Sequence, residues 1–352
     1  MLLHEILNAS IMKGASDIII TTGKPAMFRL NGQLVSEGTD NLVAQSAQDL
    51  IYSILSEEQK KTFESGNELD LSITLPNSGR FRVNVFRQQG HVGAAFRPIM
   101  SKMPTLEELQ LPPVAAQFAS FPSGLVCITG PTGSGKSTTL AAMVNYINKT
   151  RRCHIITIED PIEFVHTHNL SVIQQREIGR DTSDFKTALK YVLRQCPDVI
   201  LVGEMRDLET IAAAITIAET GHLVLSTLHT QSAAKTIDRI IDVFPPYQQH
   251  QIRAQLASTL KGVLSQILLP RADGKGRVAA REIMVVTPGI GNLIRDEKTF
   301  QIPTAIQTGA ALGMQSMDQC LNQLRMTGAI TQEIYQARLS NPPNPVQTPK
   351  AY

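Results

Sequence analysis

Between Arg80 and Arg87 the chain alternates, with Phe81, Val83 and Val85 on one face of an extended strand and Arg82 and Asn84 on the other. Residues 17–35 and 69–97 share this strand texture, and the segment from Ser46 to Phe63 between them reads as a helix. The pattern predicts a small α+β domain over residues 1–97. Five prolines (Pro98, Pro104, Pro112, Pro113 and Pro122) then interrupt the periodicity, which predicts a linker over 98–123 carrying at most short helices. From Gly124 onward, short apolar strands alternate with helical stretches: Leu125 to Thr129, His154 to Ile158, Val199 to Val202 and Leu223 to Leu228. Such alternation predicts an α/β domain over 124–340, a mostly parallel sheet with helices on both faces. Asp207 and Ser232 sit where helix N-caps belong, the second ahead of a run that stops before Pro245-Pro246. Ile252, Leu256, Leu260, Val263, Leu264 and Ile267 recur at helical spacing and read as one core face of a helix, with a subunit or partner surface as the alternative. Residues 341–352, proline-rich and without period, read as a disordered tail.

Composition narrows the class. The 352 residues, 42% hydrophobic and 18% charged, suffice for a sizeable core and two domains. With 33 basic against 31 acidic side chains the net charge is +2, so no global excess of charge draws the chain to nucleic acid or lipid. No apolar run approaches the ~20 residues that span a bilayer, and the first ten residues carry His4 and Glu5 instead of a basic, then apolar, leader. A soluble cytoplasmic protein is the expectation. Cys127, Cys153, Cys196 and Cys320 form no Cys-x-x-Cys pair, which suits reduced thiols better than disulfides or a zinc knuckle.

The chemistry begins at Gly130-Pro131-Thr132-Gly133-Ser134-Gly135-Lys136-Ser137, which fits G-x-x-x-x-G-K-[ST] between an apolar strand and a helical run starting at Thr138. A phosphate chain carries several negative charges. Small residues let backbone N–H groups approach it, Lys136 neutralises its oxygens, and the Ser137 hydroxyl is placed to hold Mg²⁺. The Asn/Thr-Lys-x-Asp pattern that commonly reads guanine is not visible, so ATP is the expected nucleotide.

Hydrolysis needs a water-positioning group as well. Two acidic clusters follow predicted strands: Glu159-Asp160-Pro161-Ile162-Glu163 and Gly203-Glu204-Met205-Arg206-Asp207. In open α/β sheets ligands gather at the carboxyl ends of strands, so both clusters should border the phosphate loop if their strands lie beside it. Glu204 is the chosen base, also reaching Mg²⁺ through water, with Glu163 as a further catalytic carboxylate and Asp160 as a nucleotide contact. His222 and His229 flank the strand Leu223 to Leu228 and read as nucleotide contacts, His229 as the phosphate sensor at the strand's far end.

These segments together resemble the four signatures of the type II/IV secretion ATPases: the Walker A loop, the Thr157-to-Glu163 "Asp box", the Gly203-to-Asp207 Walker B and the Thr220-to-His229 "His box". The similarity runs from Ala15-Ser16-Asp17 to Gly313-Met314-Gln315-Ser316-Met317-Asp318. The resemblance implies a homohexamer whose subunits join a PAS-like N-terminal domain to a RecA-like ATPase domain. It also implies that Arg82, Arg87 and Arg97 of the N-terminal domain act at the γ-phosphate.

Within that family the chain looks like the compact branch that retracts type IV pili, since it lacks the long N-terminal extension and four-cysteine motif usual in assembly and secretion motors. That branch works at the cytoplasmic face of the inner membrane, on a membrane-embedded pilus platform protein and in some cases beside a second pilus motor ATPase. Its usual Ala-Ile-Arg-Asn-Leu-Ile-Arg helix reads Gly289-Ile290-Gly291-Asn292-Leu293-Ile294-Arg295 here. A glycine inside a helix costs about 1 kcal/mol relative to alanine, so this element is expected to be more mobile. Two other functions compete with retraction: a related secretion or accessory pilus motor, and a nucleotide-dependent regulatory ring with little hydrolysis. Glu204 argues against the second.

Overall fold

The computed structural model describes residues 2–30, 32–75, 79–99 and 103–339. Contacts divide the chain into two compact units, Met1–Lys102 with Glu163–Val165, and Met103–Ile162 with His166–Tyr352. The segment 341–352 lies outside the described residues.

The first unit opens on α1 (Leu3–Met12), absent from the predicted elements, which buries Leu3, Ile6, Leu7 and Ser10 at helical spacing. Six strands follow: β1 (Asp17–Ile20), β2 (Ala26–Leu30), β3 (Gln33–Glu37), β4 (Glu68–Leu75), β5 (Gly79–Gln88) and β6 (His91–Ile99). They form one sheet in the order β3-β2-β1-β6-β5-β4, and every adjacent pair is antiparallel. Phe28, Phe63, Phe81 and Phe96 fill its core.

Where one helix is predicted from Ser46 to Phe63, there are two, α2 (Ala44–Tyr52) and α3 (Glu57–Gly66). Ser56 causes the break. Its backbone is extended, its hydroxyl accepts from the Gln59 N–H, and the Gln59 side chain returns to the Ser56 N–H, a capping box that starts a new helix.

In the second unit the strands are β7 (Gly124–Thr129), β8 (His154–Glu159), β9 (Val172–Glu177), β10 (Val199–Val202), β11 (Leu223–Leu228), β12 (Leu260–Pro270) and β13 (Arg277–Val285). Their order is β13-β12-β7-β11-β10-β8-β9, parallel throughout except for the β12–β13 hairpin. Every residue of β7, β10 and β11 is buried, as a parallel sheet covered on both faces requires. The helices are α4 (Pro113–Ser120), α5 (Lys136–Thr150), α6 (Phe185–Val192), α7 (Leu208–Glu219), α8 (Ala233–Asp242), α9 (Pro246–Thr259), α10 (Pro288–Arg295), α11 (Ile302–Thr308), α12 (Met317–Met326) and α13 (Gln332–Gln336). Asp207 caps α7 through the Thr210 N–H and Ser232 caps α8 through the Lys235 N–H, each worth about 1 kcal/mol. Leu106, Val114 and Phe118, from the proline-punctuated stretch, belong to this unit's core.

The stripe from Ile252 to Ile267 is not one helix. α9 ends at Thr259, the backbone of Leu260 turns extended (φ −65, ψ 126), and Leu260, Val263 and Leu264 lie on β12. A strand buried on both faces is apolar at nearly every position, so it carries no period of two to distinguish it from a helix. The hairpin β12–β13 thereby joins the sheet beside β7, the strand that leads into the phosphate loop.

Gly291 lies on the buried side of α10 with Ile290 and Ile294. A Cβ there would stand 3.3 Å from the Ala257 carbonyl oxygen, so the missing side chain lets α10 approach α9 closely. All four cysteines are free, and burial pushes the Cys127 thiol up to about 12. No helix among the described residues is long and apolar enough to cross a membrane.

Candidate active site

β7 delivers the chain to Gly130 and α5 takes it up at Lys136, so the loop between them lies at the carboxyl end of a buried parallel strand. Gly130, Gly133 and Gly135 have φ of +143, +76 and +86 degrees, conformations that side-chain-bearing residues rarely adopt. Pro131, Thr132 and Gly133 are exposed, whereas Ser134 and Lys136 are buried. The Lys136 ammonium folds back over the loop and donates to the carbonyls of Gly130 (2.8 Å) and Pro131 (3.1 Å). Ser137 and Thr138 follow, half-buried, in the first turn of α5.

β7 lies between β12 and β11; on the β11 side β10, which leads to Glu204, comes next, and β8, which leads to Asp160, lies one further out. The two acidic clusters therefore do not adjoin the loop's own strand, and His229 at the end of β11 is the link. Its Nδ1 lies 3.4 Å from the Thr132 hydroxyl and its Nε2 3.1 Å from Glu204 Oε1. Glu204 Oε2 meets the Arg206 guanidinium at 2.7 Å. Two hydrogen bonds support this row from behind: the Thr227 hydroxyl donates to the Gly203 carbonyl (2.6 Å) and the Met205 N–H to the Thr227 carbonyl (3.0 Å). Thr132, His229, Glu204 and Arg206 thus form a continuous polar row, and the charge of Asp160 acts on Arg206 as well.

Partial burial alone would raise the Glu204 carboxyl, but the hydrogen bond from Arg206 and the nearby His229 bring it to a net position below the ordinary 4.5. A depressed carboxylate keeps its charge, and the stability that charge contributes, above 4.5 and loses both as pH falls through the lowered value. Carboxyl ¹³C NMR, with the signal assigned by Glu204→Gln, should give a midpoint below 4.5; a midpoint above it would contradict this electrostatic picture.

The other candidates fall elsewhere. His222 precedes β11, at the opposite edge of the sheet from the loop; its carbonyl accepts from the Gly124 N–H at the start of β7, and its Nδ1 lies 3.1 Å from the Thr220 hydroxyl. Within one chain His222 and His229 cannot meet the same phosphate, because the two ends of a six-residue strand lie roughly 20 Å apart. Glu163 is exposed and groups with the first unit.

Nor do the three arginines form one set. Arg82 and Arg97 are directly opposed on β5 and β6 and share the outward face. Arg87 continues the face of Phe81, Val83 and Val85, pairs with Glu64 at 2.6 Å and lies over the Phe63 ring. Arg97 is held by Asp17 at 2.7 Å, whereas Arg82 is exposed with no ion-pair partner among the described residues.

Arg206 and Gln266 are the residues that motif reading passed over. Arg206 sits inside the Walker B segment without an assigned role, although a basic residue two positions from a candidate base is a visible signal. Gln266, on the aperiodic strand β12, donates to the Ser134 carbonyl of the phosphate loop at 2.7 Å, a contact that leaves no signal in sequence spacing.

The family model for type II/IV secretion system proteins matches residues 1–333. The chain belongs to the type II/IV secretion system protein family. This secretion-family chain is 50% identical over 340 residues, 97% of its length and 98% of the relative's, to a Pseudomonas aeruginosa protein named type IV pilus retractation ATPase PilT. It is 49% identical over 315 residues, 90% of its length and 84% of the relative's, to a Neisseria gonorrhoeae protein named twitching motility protein. Among solved structures, the pilus retraction motor PilT with bound ADP superposes with a TM-score of 0.92 at 44% identity, covering 97% of this chain and 98% of that one.

Proposed function

We propose that this family member is an ATP-hydrolysing motor subunit that powers type IV pilus retraction and hence twitching motility. The observation that carries the reading is the polar row from Thr132 of the phosphate loop through His229 to Glu204, which connects a phosphate cradle to a charged carboxylate. The names of its relatives, a pilus retraction ATPase and a twitching motility protein, support the same reading.

In this account the loop from Gly130 to Ser137, continuing to Thr138, binds the phosphates of ATP. Lys136 exchanges the carbonyls of Gly130 and Pro131 for phosphate oxygens. Glu204 accepts a proton from the attacking water, held in its charged form by Arg206 and oriented by His229. His229, touching both loop and base, reports whether a γ-phosphate is present. The Ser137 hydroxyl, which makes no hydrogen bond within the described residues, and the Glu204 carboxylate are hard oxygen donors of the kind Mg²⁺ selects, Glu204 acting through water. Bound there, Mg²⁺ would neutralise charge on the phosphates.

Arg82 and Arg97 are the first unit's candidates for neutralising the transferred phosphoryl. Assembly as a homohexamer and action on a platform protein at the cytoplasmic face of the inner membrane complete the proposal. Cells carrying Glu204→Gln at the native locus test it: surface pili should persist while twitching is lost. Unchanged twitching in that strain would remove the retraction role.

A further inference from the structure

β12 runs parallel to β7 with Ser265 opposite Thr129, so the next residue, Gln266, comes level with Gly130, where the phosphate loop begins. The seam is tight. The Thr129 and Ser265 hydroxyls meet at 2.6 Å, both fully buried, and a Cβ on Gly130 would fall 2.1 Å from the Gln266 carbonyl oxygen. Glycine at 130 is thus demanded by the neighbouring strand as well as by φ.

The Gln266 side chain is 2% exposed and reaches across the seam in two directions. Its Nε2 donates to the Ser134 carbonyl at 2.7 Å, and its Oε1 accepts from the Thr139 hydroxyl at 3.0 Å. The two partners fix the amide's orientation, because a carbonyl only accepts and so must face the NH₂ group. Thr139 lies one turn into α5, so one buried amide ties β12 to both the loop and the helix that carries Lys136 and Ser137.

We infer that Gln266 is a positioning residue for nucleotide binding, holding the Ser134–Gly135 peptide so that the Gly135 N–H is presented to phosphate. In a trans peptide the carbonyl and the following N–H point in opposite directions. Fixing the Ser134 carbonyl toward β12 therefore turns the Gly135 N–H away from β12, to the side on which a phosphate is received. Gly135, at φ +86 with no side chain, would otherwise be free to flip this peptide. The amide removes that freedom before the ligand arrives, so binding does not have to supply the ordering cost. The inference rests on the reading of this loop as the nucleotide site.

Fluorescent-ADP titration and steady-state ATPase of wild type, Gln266→Leu and Gln266→Glu test it, with melting temperature reporting the fold. Both variants should weaken ADP and raise KM for ATP roughly tenfold, while kcat stays within about threefold. Gln266→Glu is isosteric, so it carries the test if Gln266→Leu does not fold. Charged, its carboxylate opposes the Ser134 carbonyl; protonated, it again has a donor. Its deficit relative to wild type should therefore shrink between about pH 8 and about pH 6, since burial raises its pKa.

Folded variants that bind ADP within about twofold of wild type at both pH values would overturn the proposal. So would a Gln266→Glu deficit that acidification leaves unchanged, because lost packing alone has no reason to follow a proton. Failure of the wild type itself to bind ADP would instead remove the nucleotide-site reading, and the positioning role with it.

Discussion

Glu204→Gln is expected to lower kcat for ATP by roughly 10²–10⁴-fold while leaving nucleotide affinity nearly intact. The amide keeps the size of the carboxyl and one acceptor oxygen, so the contact with His229 survives in form. What disappears is the negative charge, which Arg206 at 2.7 Å and His229 at 3.1 Å both stabilise, and with it the capacity to take a proton from water. The binding elements, Lys136 and the loop backbone, are untouched. Turnover should therefore fall with little change in ADP affinity, a split that a merely misfolded variant would not produce. Parallel loss of both would mean that Glu204 shapes the loop instead of acting on water.

Arg82→Ala should lower kcat by roughly 10³–10⁵-fold if Arg82 neutralises the charge that develops on the transferred phosphoryl. The strand register separates it from its neighbours. Arg87 is engaged by Glu64 and the Phe63 ring on the core-facing side, and its removal should cost stability, about 0–1 kcal/mol, with little loss of turnover. Arg97 shares the outward face but is held by Asp17, so using it would require breaking a 2.7 Å pair. Arg82 has no such tie among the described residues. Equal losses of kcat in Arg82→Ala and Arg87→Ala would contradict this ordering; steady-state turnover of the two purified variants, checked against their melting temperatures, decides it.

The phosphate loop was legible because its physical demands are local: close backbone approach writes three glycines and a lysine into eight consecutive positions. The placement of Glu204 and His229 just beyond the carboxyl ends of two parallel strands was legible for a related reason, since each follows a short apolar run. The same rule, applied to direction, assigns His222 to the opposite edge, because it precedes its strand. Arg82 and Arg87 are likewise separable by parity alone, since side chains an odd number of positions apart on one strand fall on opposite faces.

What sequence hides is long-range or aperiodic. β12 is buried on both faces and shows no alternation, so its register against β7, and the contact of Gln266 with Ser134, exist only in the folded chain. The pairing of Arg87 with Glu64 joins a strand to a helix 23 residues away and leaves no trace in spacing. The break at Ser56 is intermediate: the Ser56 and Gln59 of a capping box are visible in the sequence, but only a helix that actually ends before them makes the signal decisive.

The decisive measurement is steady-state ATPase of the purified protein, with and without Mg²⁺, for wild type, Lys136→Ala and Glu204→Gln. The wild type should hydrolyse ATP in a Mg²⁺-dependent way, Lys136→Ala should lose both binding and turnover, and Glu204→Gln should lose turnover alone. A wild type that binds ATP without hydrolysing it, or a Glu204→Gln protein that turns over at the wild-type rate, would contradict the proposed function.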